Sequence, residues 1–193
     1  MNFLAHLFLS CQSEDLLIGN FIADFLNKKE ADLYPESIRQ GIDLHRKIDS
    51  FTDNHPKVRQ GTKRLQPFHH KYSAVAIDIL YDYLLVKNWS KFSGQNLEDF
   101  AQETYRLLEK NFDVLPPKLQ KRLPFMIADD WLLKYGTEAG LTFVFEKTQQ
   151  RLSKPEYLDN VVPNFLKDVD LYDAEFNVFF PEVIEYVELN CAC

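Results

Sequence analysis

All five histidines of this 193-residue chain, His6, His45, His55, His69 and His70, fall within its first seventy positions. Several carboxylates there sit inside otherwise apolar runs. Asp24 lies in Gly-Asn-Phe-Ile-Ala-Asp-Phe, and Asp78 and Asp82 lie in Ala-Ile-Asp-Ile-Leu-Tyr-Asp-Tyr-Leu-Leu. His45, Asp49 and Asp53 share Leu-His-Arg-Lys-Ile-Asp-Ser-Phe-Thr-Asp-Asn-His-Pro. Residues four apart lie on one face of a helix. Asn20 and Asp24, His45 and Asp49, and Asp78 and Asp82 are so related, as are Asn2 and His6 if the first residues are helical. Singly, each residue reads as a cap, an exposed charge or a satisfied core histidine. Together, they put polar pairs on several faces that otherwise read as core. Buried carboxylates are costly unless paired or bound to a cation, and bundles build metal sites from side chains on facing helices. Imidazole with carboxylate suits manganese, iron, zinc or a magnesium-like ion.

The elements that must position these residues are helical. There are only six glycines, and no run alternates with the period of a strand. Ser13, followed by Glu14 and Asp15, opens a capped helix to about Leu26. Pro35 suits the first turn of a helix to about Phe51, and Pro56 can open another. After Pro67, His69 to about Trp89 reads as one long helix. Leu97 to about Phe112 follows, and then come helices near 117–135, 138–152, 158–168 and 171–189. The acidic, Phe-rich stretch from Glu156 to Glu188 reads as an amphipathic helix pair that closes the core. No repeat or linker appears, so the expectation is one all-α domain over 1–193.

The net charge of -7 argues against general nucleic-acid binding. It is unevenly spread: residues 39–71 hold eight basic groups against three acidic ones. Such a segment is either a solvated helix face or a docking face for an acidic partner. The three cysteines (Cys11, Cys191, Cys193) suggest neither a disulfide framework nor zinc spacing, and so a reducing, cytoplasmic setting. The opening MNFLAHLFLSC lacks the basic flank of a secretion signal, and no stretch approaches the roughly 20 apolar residues of a membrane span.

Four motifs, in order, resemble the acyl carrier protein phosphodiesterase family. They are Asn2-Phe-Leu-Ala-His6-Leu7, Gly19-Asn-Phe-Ile-Ala-Asp24-Phe25, Gly41-Ile-Asp-Leu-His45-Arg-Lys-Ile-Asp49-Ser-Phe-Thr-Asp53, and Asp78-Ile-Leu-Tyr-Asp82-Tyr-Leu-Leu85 with Trp89. The second half is similar mainly in length, helical character and Trp131. The resemblance implies a divergent HD (histidine/aspartate) phosphohydrolase fold. It also implies water-driven release of 4′-phosphopantetheine from holo acyl carrier protein, leaving apo carrier, with a divalent ion, Mn2+ first among candidates. One position departs from the family: where relatives carry histidine straight after the second aspartate of the long helix, this chain has Tyr83.

On that resemblance, Asp24, His45 and Asp78 bind the metal, with Asp49 and Asp82 supporting them. His6 or Asp82 serves as proton acceptor or orients a ligand. Arg46 meets the phosphate, since guanidinium matches phosphate oxygens in bidentate geometry. Lys57, Arg59, Lys63 and Arg64 dock the acidic carrier. Two other readings stay open: an HD-like hydrolase of a nucleotide or other small phosphoester, and a non-catalytic helical module that binds an acidic partner. The oligomeric state is open.

Overall fold

The computed structural model describes residues 1–11 and 13–190. These are helical, with no strand among the described residues. The helices are α1 (Phe3–Phe8), α2 (Glu14–Ile22), α3 (Lys28–Ala31), α4 (Glu36–Asn54), α5 (Pro56–His69), α6 (Ser73–Lys87), α7 (Trp89–Phe92), α8 (Leu97–Lys110), α9 (Pro117–Gln120), α10 (Leu123–Ala128), α11 (Trp131–Lys134), α12 (Glu138–Gln149), α13 (Val161–Leu166) and α14 (Val169–Asn190). Short 3-10 turns lie at Ala23–Phe25, His70–Tyr72, Phe112–Val114 and Pro155–Leu158.

Local chemistry sets most boundaries. The Ser13 hydroxyl accepts from the Leu16 amide at the start of α2, with Glu14 and Asp15 in the first turn. Both act on the unpaired N–H groups at a helix start. His55 ends α4 and caps α5, accepting from Lys57 N at 3.2 Å, with Pro56 in the first turn. Three expectations shift. First, α5 runs through Pro67 to His69, and the chain breaks at His70, whose φ is 48°. The long helix therefore starts at Ser73. Second, the single helix expected over 117–135 is three short ones, because Pro124 sits in the first turn of α10 and Asp130 is left-handed at φ 49°. Third, Cys11 is disulfide-bonded, against the expectation that no cystine forms; Cys191 and Cys193 lie outside the described residues. The cysteines therefore give no support to a reducing setting.

The core surrounds α6, which is buried on almost every side. Phe176, Phe179 and Phe180 of α14 pack beside it, with Tyr81 edge-on to Phe176 at 5.3 Å. Arg64 of α5 and the buried Glu175 of α14 pair at 3.0 Å, which satisfies both charges where α5 meets α14. No described helix is long and apolar enough to cross a membrane.

A tightly packed helix pair carries much of the site. Gly19 of α2 faces Gly41 of α4 so tightly that a Cβ at Gly19 would lie 2.1 Å from the Ile38 carbonyl oxygen. A Cβ at Gly41 would lie 2.4 Å from that of Leu16. Only glycine permits this backbone approach. One residue past Gly19 is Asn20, and four past Gly41 is His45. The glycine contact thus sets the separation of their side chains.

Candidate active site

His6 of α1 and His45 of α4 are buried and stack face to face, with ring centroids 3.9 Å apart. Asn20 of α2 fixes both. Its Nδ2 donates to the His6 carbonyl at 2.7 Å and to Ser10 Oγ at 3.0 Å, so its Oδ1 is the acceptor for His6 Nδ1 at 2.8 Å. His45 Nδ1 lies 2.8 Å from the Asn20 carbonyl oxygen, which can only accept. Each imidazole therefore carries a proton on Nδ1. Both Nε2 atoms turn to Asp49: His6 Nε2 is 3.1 Å from Oδ1, and His45 Nε2 is 3.2 Å from Oδ2. Asp24, past the end of α2, is 3.1 Å from His45 Nε2 and largely exposed.

The protonation states follow from these contacts. Burial holds His6 down to about 4, against the pull of Asp49. His45 is also disfavoured by burial, yet bonds to Asp24 and Asp49 outweigh this and raise it to about 9. Burial would raise Asp49, but bonds from His45 and His6 hold it below the usual carboxylate range. The bond from His45 lowers Asp24. Asp78 of α6 binds the Met1 ammonium at 3.0 Å, and the same ammonium is 3.6 Å from Asp49. A cation thus sits between these two carboxylates.

The donor set fits a divalent ion. His6, His45 and Asp49 each offer one donor atom within 4.8 Å of the others, and the Nε2 atoms are the ones that face Asp49. Each ring is held by a hydrogen bond at its other nitrogen, the arrangement that fixes tautomer and orientation in metal-binding histidines. Displacing the His45 proton would free its Nε2 lone pair. The donors favour no single transition metal.

The structure brings His6, Asp24, His45 and Asp49 together, with Asp78 joined through Met1, and puts the other expected residues elsewhere. Asp82 is fully buried and accepts from the amides of Leu4 at 2.9 Å and Ala5 at 3.2 Å. It therefore anchors the start of α1 rather than facing a substrate. Arg46 is exposed on the outer side of α4 and pairs with Asp43 at 2.9 Å, away from the cleft. Arg64 is committed to Glu175 and lies over Tyr172. Arg59 bonds the Asp53 carbonyl and Asn54 Oδ1 at the α4–α5 corner. Lys57 lines a different depression, beside His55 and Glu182, and Lys63 is exposed on α5. Tyr83 points into the core, edge-on to Phe165 at 5.7 Å.

A cleft of about 390 Å³ opens beside Asp24 and Asp78. Besides the Met1 ammonium, its cations are side chains from the second half of the chain: Lys118, Arg122, Lys147 and Arg151. The basic residues expected from 57–64 do not line it. The i, i+4 spacing of Lys118 with Arg122, and of Lys147 with Arg151, is visible in the sequence. Nothing there links either pair to Asp24. Trp131 and Tyr135 also line the cleft, and the Tyr135 hydroxyl accepts from Asn2 Nδ2 at 3.0 Å.

Fold and site together define an all-α chain with a histidine–carboxylate cluster beside a cationic cleft. The family model described as acyl carrier protein phosphodiesterase matches residues 1–183, and the chain belongs to that family. A relative from Photorhabdus laumondii, named acyl carrier protein phosphodiesterase, is 29% identical over 189 residues, covering 97% of this chain and 96% of the relative. Relatives of the same name from Pectobacterium atrosepticum and Escherichia coli O6:H1 are 26% and 28% identical, each covering 96% of both chains. No solved structure matches the chain.

Proposed function

We propose that this chain is a metal-dependent phosphodiesterase acting on holo acyl carrier protein. Water attacks the phosphorus, the bond from phosphorus to the serine oxygen breaks, and that oxygen takes a proton. The products are apo carrier and 4′-phosphopantetheine. The observation that carries this reading is the pair of stacked imidazoles, each oriented through Asn20, with both Nε2 atoms converging on Asp49 beside a cationic cleft. The family match over residues 1–183 supports the substrate, and supports reading the whole chain as one catalytic domain. A cytoplasmic setting then rests on the carrier substrate rather than on the cysteines.

His6, His45 and Asp49 hold the ion, and Asp24, bonded to His45 Nε2, completes the set. A divalent ion there supplies Lewis-acid chemistry, acidifying water and offsetting phosphoryl charge; Mn2+ is the first to test. Asp78 lines the cleft, and burial raises its pKa, so it suits the task of taking the water proton. Asp82 orients His6 indirectly by fixing α1.

The test incubates purified protein with holo carrier and Mn2+ and reads the carrier's intact mass, with Asp24→Ala as control. Metal-dependent conversion to the apo mass, absent in the variant, supports the reading. An unchanged carrier mass with metal-loaded protein overturns it and turns attention to small phosphoesters.

A further inference from the structure

Arg122 and Arg151 are the two guanidiniums among the cations of the cleft. Neither has an ion-pair partner among the described residues, whereas Arg39, Arg46 and Arg64 each do. Partial burial, and after it the charge of Arg122, disfavour the charge on Arg151. Two adjacent guanidiniums without a carboxylate repel each other, and an anion between them removes that repulsion. The Arg122 guanidinium lies 5.6 Å over the ring of Phe25, the residue next to Asp24. This places the arginine beside the histidine–carboxylate cluster rather than at a remote surface.

The rest of the wall supplies a second, independent observation. Trp131 lines the same cleft, and its indole N–H is buried with no acceptor among the described residues. A buried donor left unpaired costs about 1–3 kcal/mol, so native structures rarely keep one without a reason. Phe25, Val75 and Phe143 add apolar surface. The same cleft thus carries carboxylates, Asp24 and Asp78, and the two guanidiniums. The volume is of the size that takes a small extended ligand.

We infer that this cleft binds the phosphopantetheine arm, with Arg122 and Arg151 holding the phosphodiester oxygens and the indole N–H of Trp131 donating to an amide carbonyl of the arm. The inference rests on the phosphodiesterase reading for its choice of ligand. It relocates phosphate recognition from Arg46, on the outer side of α4, to the second half of the chain.

The test measures binding of 4′-phosphopantetheine, pantetheine and inorganic phosphate to the Mn2+-loaded full chain by calorimetry. Wild type, Arg122→Gln, Arg151→Gln, Arg151→Lys and Trp131→Phe are compared, with thermal melts and Mn2+ titrations as checks of the fold and the metal site. Wild type is expected to prefer 4′-phosphopantetheine over both fragments. Each Arg→Gln change should weaken it about tenfold or more, as loss of a charge-assisted hydrogen bond does. Arg151→Lys should restore part of that loss, and Trp131→Phe should weaken 4′-phosphopantetheine and pantetheine alike. The KM for holo carrier should rise in parallel. Equal binding of phosphate and 4′-phosphopantetheine overturns the arm assignment, and wild-type affinity in folded Arg→Gln variants overturns the arginine assignment. Carrier conversion with an unchanged KM in those variants sinks this inference alone. Arginine-dependent binding without conversion by wild type sinks the phosphodiesterase reading and leaves the cleft assignment standing.

Discussion

Asn20→Ala separates the orientation of the site from its donor atoms. Asn20 is fully buried and touches both imidazoles, but it holds them differently. The His45 Nδ1–H bonds the Asn20 backbone oxygen at 2.8 Å, which alanine keeps, and has only a longer 3.2 Å contact to the side-chain oxygen. The His6 Nδ1–H bonds the side-chain oxygen at 2.8 Å, which alanine removes. The His6 carbonyl and the Ser10 hydroxyl lose the Nδ2 donor but retain their mutual 2.8 Å bond. The variant thus leaves one buried donor without a partner, and a small cavity. Together these cost roughly 2–4 kcal/mol, which lowers Tm by about 5–15 °C in a chain of this size. The freed His6 ring can rotate or change tautomer, and loss of such a bond typically weakens metal binding by about 10- to 100-fold. Calorimetric Mn2+ titration and a thermal melt read the two effects, and nitrogen-correlated imidazole spectra read the His6 tautomer. A variant that melts lower but binds Mn2+ like wild type would refute the orienting role of the amide.

The remaining expectations test the frame and the charges around it. Gly41→Ala should force α4 away from α2 and cost about 1–3 kcal/mol or more, with Mn2+ affinity falling alongside stability, because a Cβ meets the Leu16 carbonyl at 2.4 Å; a melt and a metal titration check it. Asp24→Ala should abolish carrier conversion while shifting stability by less than about 1 kcal/mol, since the side chain is largely exposed and holds one bond to His45. Buried His69, bonded to the Tyr157 carbonyl, has its pKa lowered by burial. The unfolded chain therefore takes up this proton first, and stability should fall as pH drops below about 6.5 toward the lower folded-state value. Urea melts at several pH values should show a shallower fall for His69→Gln, which keeps a donor for Tyr157 and does not titrate; an unchanged slope would contradict this. Arg46→Gln should leave carrier KM unchanged, because its guanidinium pairs with Asp43 outside the cleft.

The sequence by itself determined the helical class and pointed to most members of the histidine–carboxylate cluster. Helical periodicity, caps at Ser13 and Pro56, and the i, i+4 pairing of His45 with Asp49 are local properties, and a helix translates such spacing directly into a shared face. Composition likewise announced the basic stretch over 39–71, but not which of its charges are free. Arg64 is taken up by Glu175, 111 positions away, and no local pattern reports a partner at that distance. Asp82 looked equivalent to Asp78 by spacing, yet the packing of α1 on α6 gave it two backbone amides to bind and left Asp78 lining the cleft. The same holds for the cations that face the cluster. Lys118, Arg122, Lys147 and Arg151 line the same cleft as Asp24 because Pro124 and the left-handed Asp130 fold the 117–135 stretch into three short turns, and because α12 returns beside α6. Helical spacing fixes only what neighbouring turns share. Which turns of the chain meet is decided by long-range packing, here a glycine contact between α2 and α4 and a core built around α6.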